Sequence, residues 1–144
     1  MKLTEDFNPK TDKLFEEETD HIFLGLNPSS KKYSSGPFTG SRFDKRISRL
    51  IVKGRITNIF PDIFTPRSNE VKVEDISKYK ERISKMIEKY HYQYIYVFGN
   101  VAYDYLNSMD LGIPIYKLMH FSNRFIDDDE YVKQVKKQLK VKDR

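Results

Sequence analysis

Apolar residues fall along this chain in short runs that alternate with helical stripes. Ile22-Phe23-Leu24 is an unbroken run closed by Gly25, the pattern of a strand buried on both faces. It predicts a first strand over residues 21–26. Beyond a Ser- and Gly-rich loop, Phe43, Ile47, Leu50 and Ile51 recur at helical spacing, with Ser41 placed as N-cap and Gly54 as the stop. Arg55-Ile-Thr-Asn-Ile-Phe60 predicts a second strand, ended by Pro61. After an irregular stretch, Ile76, Tyr79, Ile83, Met86, Ile87 and Tyr90 share one face of a helix over about 73–90. Residues 93–98, rich in aromatic and β-branched side chains, predict a third strand. Gly99 then turns the chain into a helix carrying Val101, Ala102, Tyr105 and Leu106. A fourth strand is expected at 114–119. A last helix covers 128–140, with acidic residues at its positive end and lysines toward its tail. Residues 1–20 are polar and acidic, with Leu14 and Phe15 as anchors of a short leading helix.

Strands alternating with helices imply a parallel sheet covered on both faces. The expected fold is a three-layer α/β/α sandwich with a four-stranded parallel central sheet, and residues 1–144 form one domain without linker or repeat. In such sheets ligands bind beyond the carboxyl ends of the strands. Asn27, Asn58, Gly99 and His120 lie at or just past those ends. Gly25-Leu26-Asn27-Pro28 is the loop on which the chain is organised. Gly25 permits a sharp turn and close approach, Asn27 presents an amide, and Pro28 fixes the direction beyond it. The competing reading of these residues is an ordinary turn from strand to helix.

Composition narrows the chemistry. The chain has no cysteine, and its three histidines are scattered, so neither a thiolate site nor a histidine metal cluster is expected, and no cofactor is implied. The apolar runs are too short to span a bilayer and no secretory signal opens the chain, which points to a cytoplasmic protein. A net charge of +5, from 26 basic and 21 acidic residues, permits contact with phosphates without requiring it. Lys31, Lys32, Arg42, Lys45, Arg46, Arg49, Lys53 and Arg55 follow the Asn27 loop closely. They suit either a phosphate-binding surface or a solvated helix face.

In their order these pieces resemble the uracil-DNA glycosylase superfamily, most closely its mismatch-specific uracil/thymine-DNA glycosylase branch. Gly25-Leu-Asn-Pro-Ser29 stands where that branch has Gly-Ile-Asn-Pro-Gly, Pro37-Phe38 where it has a base-stacking Phe, and Arg42-Phe43 where an Arg-Phe opens a helix. Ile56-Thr-Asn-Ile59 and Ser68-Asn-Glu-Val71 are similar to its second strand and the segment after it, and Val97-Phe-Gly-Asn-Val-Ala-Tyr103 to its next strand and helix. His120-Phe-Ser-Asn-Arg124 occupies the place of its second active-site motif. Ser29 replaces a Gly and Phe121 a Pro, departures that bear on turnover and on duplex substrate more than on fold. The short segment after His120 implies a reduced wedge for entering a duplex.

The resemblance implies a monofunctional enzyme, acting as a monomer, that flips uracil or a related deaminated base out of DNA and hydrolyses its glycosidic bond. Asn27 would orient the water, and His120, as neutral imidazole, would stabilise the departing base anion. Gly25, Leu26, Phe38 and Asn58 would hold the flipped base, with Phe38 stacking on it and Asn58 reading its edge. Ser122, Asn123 and Arg124 would hold DNA phosphates beside it. Asp62 and the acidic run from Asp127 are assigned to caps and surface. The rival expectation is a non-catalytic nucleic-acid- or protein-binding module that keeps the fold. A flavodoxin-like nucleotide domain lacks support, because there is no Gly-rich phosphate loop.

Overall fold

A computed structural model describes residues 13–14, 19–27, 46–50, 54–121, 123 and 125–141. The strands are β1 (Lys13–Leu14), β2 (His21–Gly25), β3 (Arg55–Asn58), β4 (Tyr94–Phe98) and β5 (Ile115–Leu118), and the helices are α1 (Ser77–Tyr90), α2 (Asn100–Met109) and α3 (Asp128–Val141). The sheet order is β1-β3-β2-β4-β5. Pairing of β2 with β3, β2 with β4 and β4 with β5 is parallel, which makes the four expected strands an all-parallel central sheet. β1 adds to the outer edge of β3 in the antiparallel sense, Lys13 opposite Ile56. Leu14, expected to anchor a leading helix, is therefore strand. The pairing groups of β3 offer its backbone a ladder that an isolated short helix cannot match.

Burial on both faces explains the unbroken apolar runs of β2 and β4. Ile22, Leu24, Ile95 and Val97 point into one core with Ile83 and Met86 of α1 and Leu106 of α2. Phe23, Tyr94, Tyr96 and Phe98 point into the other with Leu118 and with Tyr131, Val132 and Val135 of α3. The sheet is thus sandwiched between α1 and α2 on one side and α3 on the other, and the fold is a three-layer α/β/α sandwich.

Boundaries moved where local bonds competed. α1 starts at Ser77 rather than 73, because the Asp75 carboxylate accepts from both the backbone N–H (3.0 Å) and the hydroxyl (2.6 Å) of Ser77. The helix expected after Ser41 is described only at its middle, where Ile47–Arg49 is a 3-10 turn. Ser41 and Phe43 lie outside the described residues. α3 begins as expected, with the Asp127 carboxylate accepting the Glu130 N–H at 2.8 Å as an N-cap.

Candidate functional site

The carboxyl ends of the parallel strands form one edge. There Gly25 is in register with Asn58, and Phe98 with Leu118. Asn27 and His120 each lie two residues past a strand, β2 and β5. Only β4 separates those strands, so the two loops leave the sheet about 10 Å apart. The structure brings Gly25, Asn27, Asn58, Gly99 and His120 to the same edge, as the sequence implied.

β2 and β3 stay together beyond their last paired residues. Gly25 O accepts the Ile59 N–H at 2.8 Å, and Leu26 O accepts the Phe60 N–H at 2.9 Å. Leu26 sends its side chain into the core, so it offers a ligand backbone rather than side chain. Asn27 follows, and its Nδ2 donates to the carbonyls of Ile63 (2.9 Å) and Thr65 (3.1 Å). Both amide protons are spent on these carbonyls, which fixes the plane of the amide.

Asn58 has no exposed surface. Its backbone carbonyl accepts from Nη1 of Arg82 at 2.9 Å, while Nη2 of the same guanidinium donates to Thr57 Oγ1 at 2.8 Å. Its side-chain amide has no hydrogen-bond partner among the described residues, on either the donor or the acceptor atom. Such a group costs roughly 1–3 kcal/mol when buried unpaired, and it suits a ligand edge that carries one donor and one acceptor. Arg82, missed from the sequence, occupies a position on the apolar stripe of α1 between Tyr79 and Ile83. A charged residue on that stripe is a signal that something must pair with it.

His120 is partly buried, its ring stacked on Phe121 at 4.3 Å between centroids. Burial alone lowers its pKa from 6.5 to about 4, so the imidazole is neutral at pH 7. Gly99, at φ +88, makes room for it: a Cβ there would stand 3.4 Å from His120 Cδ2. The backbone around His120 is held on every side. Met119 N–H donates to Gln138 Oε1 at 2.9 Å, and Met119 O accepts the Tyr131 hydroxyl at 2.7 Å. His120 O accepts the Asn123 N–H at 3.2 Å.

The rest of that turn hangs on Arg46. Its guanidinium donates to the carbonyls of Phe121 (3.0 Å), Asn123 (2.7 Å) and Ile126 (2.6 Å), and to the Asp128 carboxylate at 2.7 Å. Arg46 is 2% exposed and lies over the Tyr131 ring. Asn123, expected at DNA phosphates, takes part in the turn: Oδ1 accepts the Phe125 N–H at 3.0 Å and Nδ2 points to Met119 Sδ at 3.5 Å. Phe125 is left 92% exposed on this turn. Phe38, Ser122 and Arg124 lie outside the described residues.

The basic run does not form one solvated face. Besides Arg46, Arg55 is buried with its guanidinium 3.9 Å from the centre of the Tyr90 ring. Arg49 is exposed and pairs with Asp129 at 2.9 Å. Asp62, assigned to caps and surface, accepts the Tyr79 hydroxyl at 2.9 Å. Among the described residues no group of His, Asp and Glu could hold a metal ion. No helix among them is long and apolar enough to cross a membrane. No protein-family model matches the chain, and a search of curated proteins found no match.

Proposed function

We propose that this protein is a monofunctional DNA glycosylase that excises uracil or a related deaminated base, working as a cytoplasmic monomer without a cofactor. The observation that carries the proposal is the buried Asn58 amide, without a partner among the described residues, at the sheet edge shared with Asn27 and His120. Uracil presents an imide edge whose N–H and C=O match one acceptor and one donor of an amide. The base would leave its stack to reach that amide.

Breaking the C1′–N1 bond leaves a uracil anion and an oxocarbenium-like sugar; water then bonds to C1′, and the proton it loses balances the one taken up by the uracil anion. A neutral imidazole at His120 donates an N–H to the anion without carrying a buried positive charge of its own, and such a charge-assisted bond is roughly twice as strong as a neutral one. Asn27, with its amide plane fixed by Ile63 and Thr65, is the residue proposed to orient water. A neutral amide is a poor base, so the attack relies on the cationic character of the sugar, and the enzyme is slow. Phe125 is 92% exposed, which supports a role in pressing into a duplex beside the flipped base.

One observation favours the alternative of a non-catalytic binding module: the Asn27 amide protons serve the protein's own backbone. Incubation with single- and double-stranded oligonucleotides containing one uracil, followed by alkali, separates the two. Strand scission at the uracil is the expected result. DNA binding without scission establishes the module, and neither binding nor scission overturns both.

A further inference from the structure

We propose that Arg46 is a positioning residue for His120: its guanidinium, by tying Phe121, Asn123 and Ile126 to Asp128, holds the turn that keeps the imidazole against Gly99. The proposal rests on the reading of His120 as a site residue. An arginine fork is suited to this task, since its planar donors can reach several carbonyls at once, whereas a lysine ammonium is a single point. Three of the four bonds go to main-chain oxygens of the six residues after His120, and the fourth to the first residue of α3. Burying a cation is costly, and the cost is offset only where its donors find well-placed acceptors. A residue whose only task was to stabilise the core could be apolar here. This one is placed where it determines the path of the chain from His120 to Phe125.

The same bonds join two parts of the chain distant in sequence. Arg46 belongs to the segment after the first loop, and its partners lie 75 to 82 residues further on. Tyr131 completes the frame, its ring beneath the guanidinium and its hydroxyl on Met119 O, the carbonyl just before His120. The turn is thus braced from both ends. The His120 ring is kept on Phe121 and beside Gly99, and Phe125 is presented outward.

The test uses Arg46→Lys, which keeps the charge but loses the fork, with Asp128→Asn as a milder variant that removes only the carboxylate from the frame. His120 ring signals are followed by NMR as pH is varied, alongside protection of the Asn123 N–H and single-turnover cleavage of a uracil oligonucleotide. In Arg46→Lys the His120 pKa should rise from about 4 toward 6.5, the Asn123 amide should exchange at least tenfold faster, and cleavage should fall at least tenfold. Binding to abasic DNA should change less than cleavage. A folded Arg46→Lys with unchanged His120 titration and Asn123 protection overturns the proposal. Should Arg46→Lys fail to fold, Asp128→Asn decides: a smaller shift in the same direction supports the proposal, and no shift overturns it. If the wild type itself cleaves no uracil, the enzymatic reading fails, while the titration and exchange still judge the positioning role.

Discussion

Asn27 and His120 occupy equivalent places, each two residues past a strand of the same parallel sheet, yet they are fixed in opposite ways. Asn27 is held by its own side chain, whose amide protons tie two carbonyls of the segment after β3. His120 is held by its backbone neighbours, through Gln138, Tyr131 and Arg46, and its ring rests against Gly99 and Phe121. The Asn27 side chain ties its loop to the segment after β3, whereas the turn after His120 is tied by Arg46. Truncation of Asn27 should disturb both stability and chemistry. Truncation of His120 should act mainly on chemistry.

The largest expected effect is at His120. His120→Ala should lower single-turnover cleavage of a uracil oligonucleotide on the order of a hundredfold, as loss of one donor to a developing anion usually does. Its binding to abasic DNA should stay near the wild-type value, and a matching loss of binding would break the contrast. Asn27→Ala should also slow cleavage, and in addition should cost about 1–2 kcal/mol of stability for the lost ties to Ile63 and Thr65, visible as a lower urea midpoint. An unchanged midpoint would mean that those carbonyls hold the loop without it.

Gly99→Ala sharpens the His120 side. Its positive φ penalises any side chain by roughly 1–2 kcal/mol, and the new methyl meets the ring at 3.4 Å. Both a lower melting temperature and a displaced His120 signal are expected.

Acidification probes the same ring. Folded His120 takes its proton near pH 4, whereas the unfolded chain takes it near 6.5. Between those values the unfolded state binds more protons, so this contribution to stability falls as pH drops from 6.5 to 4 and is level outside that window. His120→Gln should therefore be less sensitive to pH than the wild type, measured by urea midpoints at pH 7 and 4.5. The smallest effect is expected at Arg49→Ala. That residue is an exposed partner of Asp129 and should cost at most about 1 kcal/mol, in contrast to its buried neighbour Arg46.

Much of this architecture could be read along the chain. The runs at 22–24 and 94–98 are continuous because β2 and β4 lie inside the sheet with both faces covered. The stripes of α1 and α2 gave their helices, and the positions past the strand ends gave Asn27, Asn58 and His120. Of the three buried arginines, Arg46 and Arg82 left a weaker trace. Arg46 stands with Phe43, Ile47 and Leu50 at helical spacing, and Arg82 with Tyr79, Ile83 and Met86, so each fills a place on an apolar stripe. Read as a member of the basic run, Arg46 looked like surface charge.

The alternation of strands and helices, and with it the parallel sheet and the edge where polar side chains collect, was already written in the order of residues. The period of apolar residues is a local property, set by which faces of each element are covered. How that edge is held was settled by packing: Asn27 turned onto Ile63 and Thr65, Asn123 folded into its own turn, Asn58 buried at the end of β3, and Arg46 drawn inward. Those outcomes depend on carbonyls and carboxylates brought near from up to 82 residues away. A charged or polar side chain is buried only where such partners converge, and their convergence exists only once the sheet has formed.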